Sequence, residues 1–219
     1  MHKTVFKVKA GIFDMDGVIT NTMPYHYRAW KKVFKDEGIN VSECEIYLRE
    51  GQPGNITIKE IFSERGERYD EHRMKRILAE KERLFKKTVR RRFIRGSRPF
   101  LYFLRSKGIR LALVTGTARH EVVRILPEKL LGLFEVTITG DEVKRGKPHP
   151  EPYLLALKKL GIRAKEAVVI ENAPFGIRSA KHAKIACIAL ETSLPKGYLK
   201  SADHVFPSFK ELKEKVDFL

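Results

Sequence analysis

The chain has 219 residues, of which 42% are hydrophobic and 32% charged, with a formal charge of +17 at pH 7 and two cysteines. That length can bury a full core, no apolar run approaches the ~20 residues of a membrane-spanning helix, and no apolar targeting region opens the chain, so a cytoplasmic protein is expected. Cys44 and Cys187 share no metal-ligand spacing, which speaks against a zinc site or a disulfide framework. Gln52 is the only glutamine among abundant Lys, Arg and Glu, a composition that fits a thermophile. The positive excess would draw in an anionic substrate, or nucleic acid.

In chain order, the first predicted strand is Val8 to Phe13. It runs into Asp14, with Asp16 two positions later and Gly17 placed for a sharp turn. Two acids held close at the end of a buried strand call for a cation, a shared proton, or both. The next stretch, Thr20 to Ser97, shows no buried strand but clear helical periodicity. Tyr25 to Glu37 puts Tyr27, Trp30, Val33 and Phe34 on one face and stops at Gly38, and Glu71 to Arg92 predicts a long charged helix.

After Ser97 the pattern alternates. Strands are predicted at Arg110 to Thr115, Val136 to Thr139, Ala167 to Ile170 and Ile185 to Leu190. Helices are predicted at Pro99 to Lys107, Arg119 to Leu126, Pro150 to Leu160 and Phe175 to Ala183, with Gly108 and Gly161 as C-terminal stops. Continuously apolar strands separated by helices make an α/β fold, a doubly wound parallel sheet. Residues 1–20 and 97–219 would form the α/β core. Residues 21–96 would be an inserted helical cap, hinged near Asn21 to Pro24 and Phe93 to Ser97 and able to close as a lid.

Ligands of an open α/β sheet bind beyond the carboxyl ends of its strands. Those ends carry Asp14 and Asp16, then Thr115, Gly116 and Thr117, then Glu171 and Asn172, with Lys147 in the loop after the Val136 strand. Hydroxyls, an ammonium, backbone amides at a helix start and oxygen ligands together describe a phosphate and a hard cation such as Mg²⁺. Singly, each is weaker, since Thr115 to Thr117 also reads as a turn or helix cap and Glu171-Asn172 also reads as a cap. Gly146-Lys147-Pro148 is no nucleotide P-loop, because the spacing from Gly140 is one residue too long and Pro148 stands where Ser or Thr would bind the metal.

In order and spacing, Asp14-Met15-Asp16-Gly17-Val18, Leu113-Val114-Thr115-Gly116, Gly146-Lys147-Pro148 and Ile170-Glu171-Asn172-Ala173-Pro174-Phe175-Gly176 resemble the four motifs of the haloacid dehalogenase-like hydrolases. The resemblance spans essentially the whole chain and implies a Rossmann-like core with a helical cap. It implies that Asp14 is a nucleophile forming an aspartyl-phosphate, and that Asp16 is general acid and then general base. Thr115, Gly116 and Lys147 would bind phosphate. Mg²⁺ would sit on Asp14, Asp16 through its carbonyl, and Glu171 or Asn172. The family commonly has Glu-Asp where this chain has Glu171-Asn172, which leaves open which of the two reaches the ion and removes one negative charge.

Tyr25-His26-Tyr27-Arg28-Ala29-Trp30 resembles the β-phosphoglucomutase and sugar-phosphate phosphatase subgroup. His26 could then touch Asp16 or the substrate, or simply pack beside Trp30. The cap loop Gly51 to Asn55 lacks the arginine with which the mutase grips a second phosphate, which favours a plain phosphatase of a small phosphorylated metabolite; a phosphosugar mutase is the alternative. Among the cap residues, His26 and Gln52 are candidate substrate contacts; Lys81 could face the cleft from the cap, but in so basic a helix a solvated lysine is the expectation. A separate reading comes from Lys81 to Arg95, where eight Lys or Arg stand against Glu82; such a patch could bind nucleic acid or a partner, but Glu82 and Lys86 have the spacing of an ordinary solvated helix face.

Overall fold

The computed structural model describes residues 3–219. The chain opens with β1 (Thr4–Phe6) and β2 (Ala10–Phe13), followed by four helices, α1 (Met23–Asp36), α2 (Glu43–Leu48), α3 (Gly54–Glu64) and α4 (Glu71–Thr88). Alternation begins after them with α5 (Ser97–Ser106), β3 (Arg110–Val114), α6 (Arg119–Ile125), α7 (Glu128–Leu131) and β4 (Val136–Ile138). It continues through α8 (Glu151–Leu160), β5 (Ala167–Glu171), α9 (Pro174–His182), β6 (Ala186–Leu190), β7 (His204–Phe206), α10 (Phe209–Lys215) and β8 (Val216–Phe218).

Six strands form one parallel sheet in the order β4-β3-β2-β5-β6-β7. β2 lies at its centre, with Ala10 opposite Arg110 on one side and Ala167 on the other. Every residue of β2 and β5 is buried, as strands covered on both faces require. The strand order reverses on either side of β2, so the loops leaving β2, β3 and β5 splay apart and open a crevice there. The sequence reading missed β7 and the parallel pair β1-β8. These strands have three residues each, and β1 and β7 are half exposed, too short and too polar to show a buried run.

The helical insertion differs from expectation in two places. α4 ends at Thr88, not at Arg92, because Val89 turns extended and the chain runs back beside the first crossing. There Thr20 bridges antiparallel to Phe93, the Asn21 amide donates to the Arg92 carbonyl at 2.8 Å, and the Ile94 amide donates to Ile19 at 3.0 Å. The two crossings are thus hydrogen-bonded to each other as a short ribbon. Gly54 and Asn55, read as loop, instead begin α3. Gly38, Gly108 and Gly161 stand just past their helices with positive φ, the conformation a chain reversal there needs.

Candidate active site

β2 delivers Asp14 at its carboxyl end, and the loop that follows delivers Asp16; both are buried, at 5% and 2% exposure. Gly17, at φ 84°, turns the chain between them and the helical insertion. The two carboxylates do not share a partner. Asp14 Oδ1 accepts from Lys147 Nζ at 2.6 Å, whereas Asp16 Oδ1 accepts from Thr22 at 2.5 Å and Asp16 Oδ2 from Thr117 at 2.8 Å and Thr115 at 3.3 Å.

Lys147 is the pivot of the floor. Its ammonium, 2% exposed, donates also to Glu171 Oε1 at 2.6 Å and to the Val114 carbonyl at 3.2 Å, tying the ends of β2, β3 and β5 together. Tyr153 of α8 donates to the same Glu171 oxygen at 2.8 Å, and Glu171 Oε2 takes the Asn172 amide at 2.9 Å. Burial opposes the lysine's charge, but Asp14 and Glu171 outweigh it and raise its pKa. Asp14 goes the other way: burial, with Glu171 and Asp16 adding to it, pushes its carboxyl well above the usual range in spite of Lys147. Two carboxylates, Asp14 and Glu171, hold one buried ammonium.

For Asp16, burial would raise the pKa, but hydrogen bonds from His26, Thr22 and Thr117 bring it down to about 2. His26 Nε2 lies 3.3 Å from Asp16 Oδ1, and its ring stacks on Phe85 with centroids 4.0 Å apart. Of the readings open for His26, contact with Asp16 or the substrate and packing beside Trp30, the structure places the ring against Asp16 and stacks it on Phe85 in place of Trp30. On the far side of the ring Lys81 Nζ stands 3.3 Å from Nδ1. An ammonium has only donors, so Nδ1 accepts and Nε2 carries the proton given to Asp16. Lys81 is therefore not the solvated residue expected of so basic a helix. The apolar side of α4 turns it inward, over the rings of Trp30 and Phe85.

Above this floor lies a cleft of about 390 Å³ between the helical insertion and the sheet, lined by His26, Gln52, Lys81, Thr115, Gly116 and Lys147 among others. The sequence-predicted residues thus converge, with Gln52 on the wall, where its amide donates to Thr57 and Glu60 at 3.0 and 3.1 Å. Gly116 presents no side chain to the cleft, and the backbone behind it is so close that a Cβ on Gly140 would meet Gly116 O at 2.1 Å. Sequence reasoning did not pick out Thr22, Tyr153 or Ser193. Thr22 stands inside the predicted hinge and could have been found there, while nothing local marks Tyr153.

The fit of a cation can be tested on the buried polar atoms. Asn172 is fully buried; its Nδ2 donates to Ser193 Oγ at 2.8 Å, and its Oδ1 has no partner. Both Glu171 oxygens, by contrast, are engaged. Among the described residues no group of three or more His, Cys, Asp or Glu has metal-binding geometry. What is present is a donor set of another kind, carboxylate, amide oxygen and backbone carbonyl, which suits a hard cation.

Comparison with known proteins agrees with this geometry. A family model described as haloacid dehalogenase-like hydrolase matches residues 8–184. The chain is 36% identical over 185 residues to a phosphorylated carbohydrates phosphatase of Thermotoga maritima, covering 81% of this chain and 82% of that protein. It is 29% identical to hexitol phosphatase A of Escherichia coli, covering 94% of each. Among solved structures, a candidate β-phosphoglucomutase of Bacteroides vulgatus superposes with a TM-score of 0.85 at 35% identity, covering 96% of this chain and 88% of that one.

Proposed function

The chain belongs to the haloacid dehalogenase-like hydrolases, and on that footing we propose that it is a Mg²⁺-dependent phosphatase hydrolysing a small phosphorylated carbohydrate through an aspartyl-phosphate on Asp14. The observation that carries this reading is the buried bridge Asp14–Lys147–Glu171 beneath the cleft. It holds a nucleophile and a fixed positive charge at one spot. Asp14, the Asp16 carbonyl and Asn172 Oδ1 would hold the ion, since the Glu171 oxygens are committed to Lys147, Tyr153 and the Asn172 amide. When bound, Mg²⁺ supplies the charge that lets a carboxylate approach a phosphate dianion.

The remaining steps belong to side chains. Lys147, the Thr115 hydroxyl and the amides around Gly116 bind the phosphoryl oxygens, and Asp14 attacks phosphorus while the sugar oxygen leaves. Asp16 gives that oxygen its proton and then takes one from the attacking water. At rest Asp16 is too acidic for the first task, at about 2. Substrate corrects this, because a phosphate that draws the Thr115 and Thr117 hydroxyls away removes donors from Asp16 and sets a dianion beside it, and both changes raise its pKa. The helical insertion, residues 21–96, acts as the cap that shuts water out.

The test is phosphate release from sugar phosphates, phosphoglycolate, nucleotides and p-nitrophenyl phosphate, with Mg²⁺ and with EDTA. Mg²⁺-dependent release that Asp14→Asn abolishes supports the reading; release indifferent to chelator or to that substitution overturns it. Isomerisation of β-glucose 1-phosphate without release would make the chain a mutase, the second reading that its structural likeness supports.

A further inference from the structure

Besides the phosphate-binding residues, the cleft is lined by Trp30, Arg49, Glu50, Lys81, Glu121 and Lys144. This is where the part of the substrate that departs must lie. Its cations are largely spoken for. Arg49 spends its guanidinium inside the helical insertion, with Nε on Glu60 at 3.2 Å, one terminal nitrogen on the Glu45 carbonyl at 2.9 Å and the other on Glu64. Lys81 is turned to His26 Nδ1 and is faced by Glu50, Glu121 and Glu82. Lys144 is exposed at the mouth.

One carboxylate is not so engaged. Glu121, in the first turn of α6, has a buried Oε1 with no hydrogen-bond partner. A buried carboxylate oxygen left unpaired is costly, and it is retained where a ligand completes it. Glu50 stands across from it on the loop after α2, on the other wall of the same cleft.

We infer that Glu121, assisted by Glu50, selects the leaving group, accepting hydrogen bonds from the hydroxyls of an uncharged polyhydroxy compound and turning away substrates that carry a second phosphate or a carboxylate. The inference rests on the phosphatase reading of the same cleft and adds to it which residues choose the substrate. A hydroxyl that gives up water there gains a charged acceptor in Glu121, whereas a second anion would meet that carboxylate with Glu50 also in the lining and the Lys81 ammonium already turned to His26. The +17 of the whole chain attracts anions at long range, whereas inside the cleft Glu50, Glu82 and Glu121 gather around Lys81.

The experiment measures kcat/KM with Mg²⁺ for a hexitol 6-phosphate, a hexose 6-phosphate, fructose 1,6-bisphosphate, phosphoglycolate and p-nitrophenyl phosphate, on the wild type, Glu121→Gln, Glu121→Lys and Glu50→Gln, with melting curves as a folding check. The wild type is expected to prefer the monophosphates over the bisphosphate and phosphoglycolate by at least about tenfold. Glu121→Gln should lower the ratio of hexitol phosphate to p-nitrophenyl phosphate by roughly threefold to tenfold, since a neutral amide oxygen replaces a charged acceptor about twice as strong. Glu121→Lys should shift preference toward the bisphosphate, and Glu50→Gln should change the ratio in the same direction as Glu121→Gln by less. A wild type that prefers the bisphosphate, or a ratio unmoved by both glutamine variants, overturns the inference while leaving the phosphatase intact. If the wild type hydrolyses nothing, p-nitrophenyl phosphate included, it is the phosphatase reading that fails. Calorimetric binding of the hexitol phosphate against the bisphosphate to wild type and Glu121→Gln then decides the selectivity alone, with equal affinities counting against it.

Discussion

Gly176 abuts the carboxylate of Glu171 so closely that a Cβ on it would fall 1.8 Å from Oε1. That oxygen cannot retreat cheaply, because Lys147 and Tyr153 hold it from the other side at 2.6 and 2.8 Å. Gly176→Ala should therefore push Glu171 out of the bridge, destabilising the fold by roughly 1–3 kcal/mol as an overpacked core does. Activity should fall with it, since Lys147 would lose one of its two carboxylate partners. Thermal melts and phosphate release on the same preparation check both parts; unchanged values in both would mean that α9 shifts to make room.

The Lys147 bridge itself predicts a larger effect. Lys147→Met keeps the length of the side chain but leaves Asp14 and Glu171 buried without their cation. Removing one partner of a buried ion pair costs about 3–5 kcal/mol. The variant should be far less stable than Asp14→Asn, which removes a like charge from the same cluster. Urea unfolding of the two variants should show that order; a Lys147→Met protein as stable as wild type would count against the bridge.

The Asn172–Ser193 hydrogen bond directs the amide so that Oδ1 is the end left free. A neutral amide oxygen binds a divalent cation more weakly than a carboxylate. Asn172→Asp should accordingly tighten Mn²⁺ binding by roughly tenfold or more, given the Coulomb energy of one added charge at contact in a protein-like medium. The same charge should raise KM for a phosphate dianion. Ser193→Ala, which frees the amide to turn, should weaken Mn²⁺. Paramagnetic titration of the free ion reads affinity without turnover, and equal affinities across the three proteins would remove Asn172 from the donor set.

Much of this site was legible before any geometry, and its limits have physical causes. Asp14, Asp16, Thr115 and Asn172 follow strand ends, which are visible because the apolar runs before them are unbroken, and Lys147 follows in the loop after β4. Lys81 was misread because charge along a helix says nothing about which face a neighbour covers; only the packing of α4 on α1 settles that it turns to His26. Tyr153 and Ser193 were invisible for a related reason, each lying far in sequence from the residue it holds. The short strands β1, β7 and β8 owe their existence to pairing partners and not to their own sequence.

His26 offers a prediction that separates packing from proton control. His26→Phe can keep the stack on Phe85 but removes the hydrogen bond to Asp16 and leaves Lys81 without its acceptor. Asp16 loses one of the interactions that hold its pKa down, so the limbs of the kcat profile that it sets, acid through its role as base and alkaline through its role as acid, should move to higher pH. The loss in kcat near neutrality should be roughly tenfold, the scale of one hydrogen bond to a charged group. A lower rate with an unshifted pH profile would make His26 a packing residue only.

The last prediction concerns stability against acid. Asp16 has a folded-state pKa of about 2 against an ordinary 3.8, so its ionised form is favoured by folding. Its contribution is complete above pH 3.8 and lost as pH falls through about 2, the unfolded chain taking up the proton first. A depression of this size is worth on the order of 2 kcal/mol. Asp14 acts with the opposite sign: its raised pKa means that burying its charge costs stability at neutral pH, and protonation relieves the cost as the solution is acidified. The wild type mixes the two effects, so the clean comparison is between Asp14→Asn and the double variant Asp14→Asn/Asp16→Asn, both in EDTA. Urea midpoints between pH 5 and pH 2 should fall more steeply for the first than for the second, with the two curves converging at the acid end apart from a constant offset. Parallel curves across the whole range would mean that the hydrogen bonds from Thr22, Thr117 and His26 do not hold Asp16 ionised.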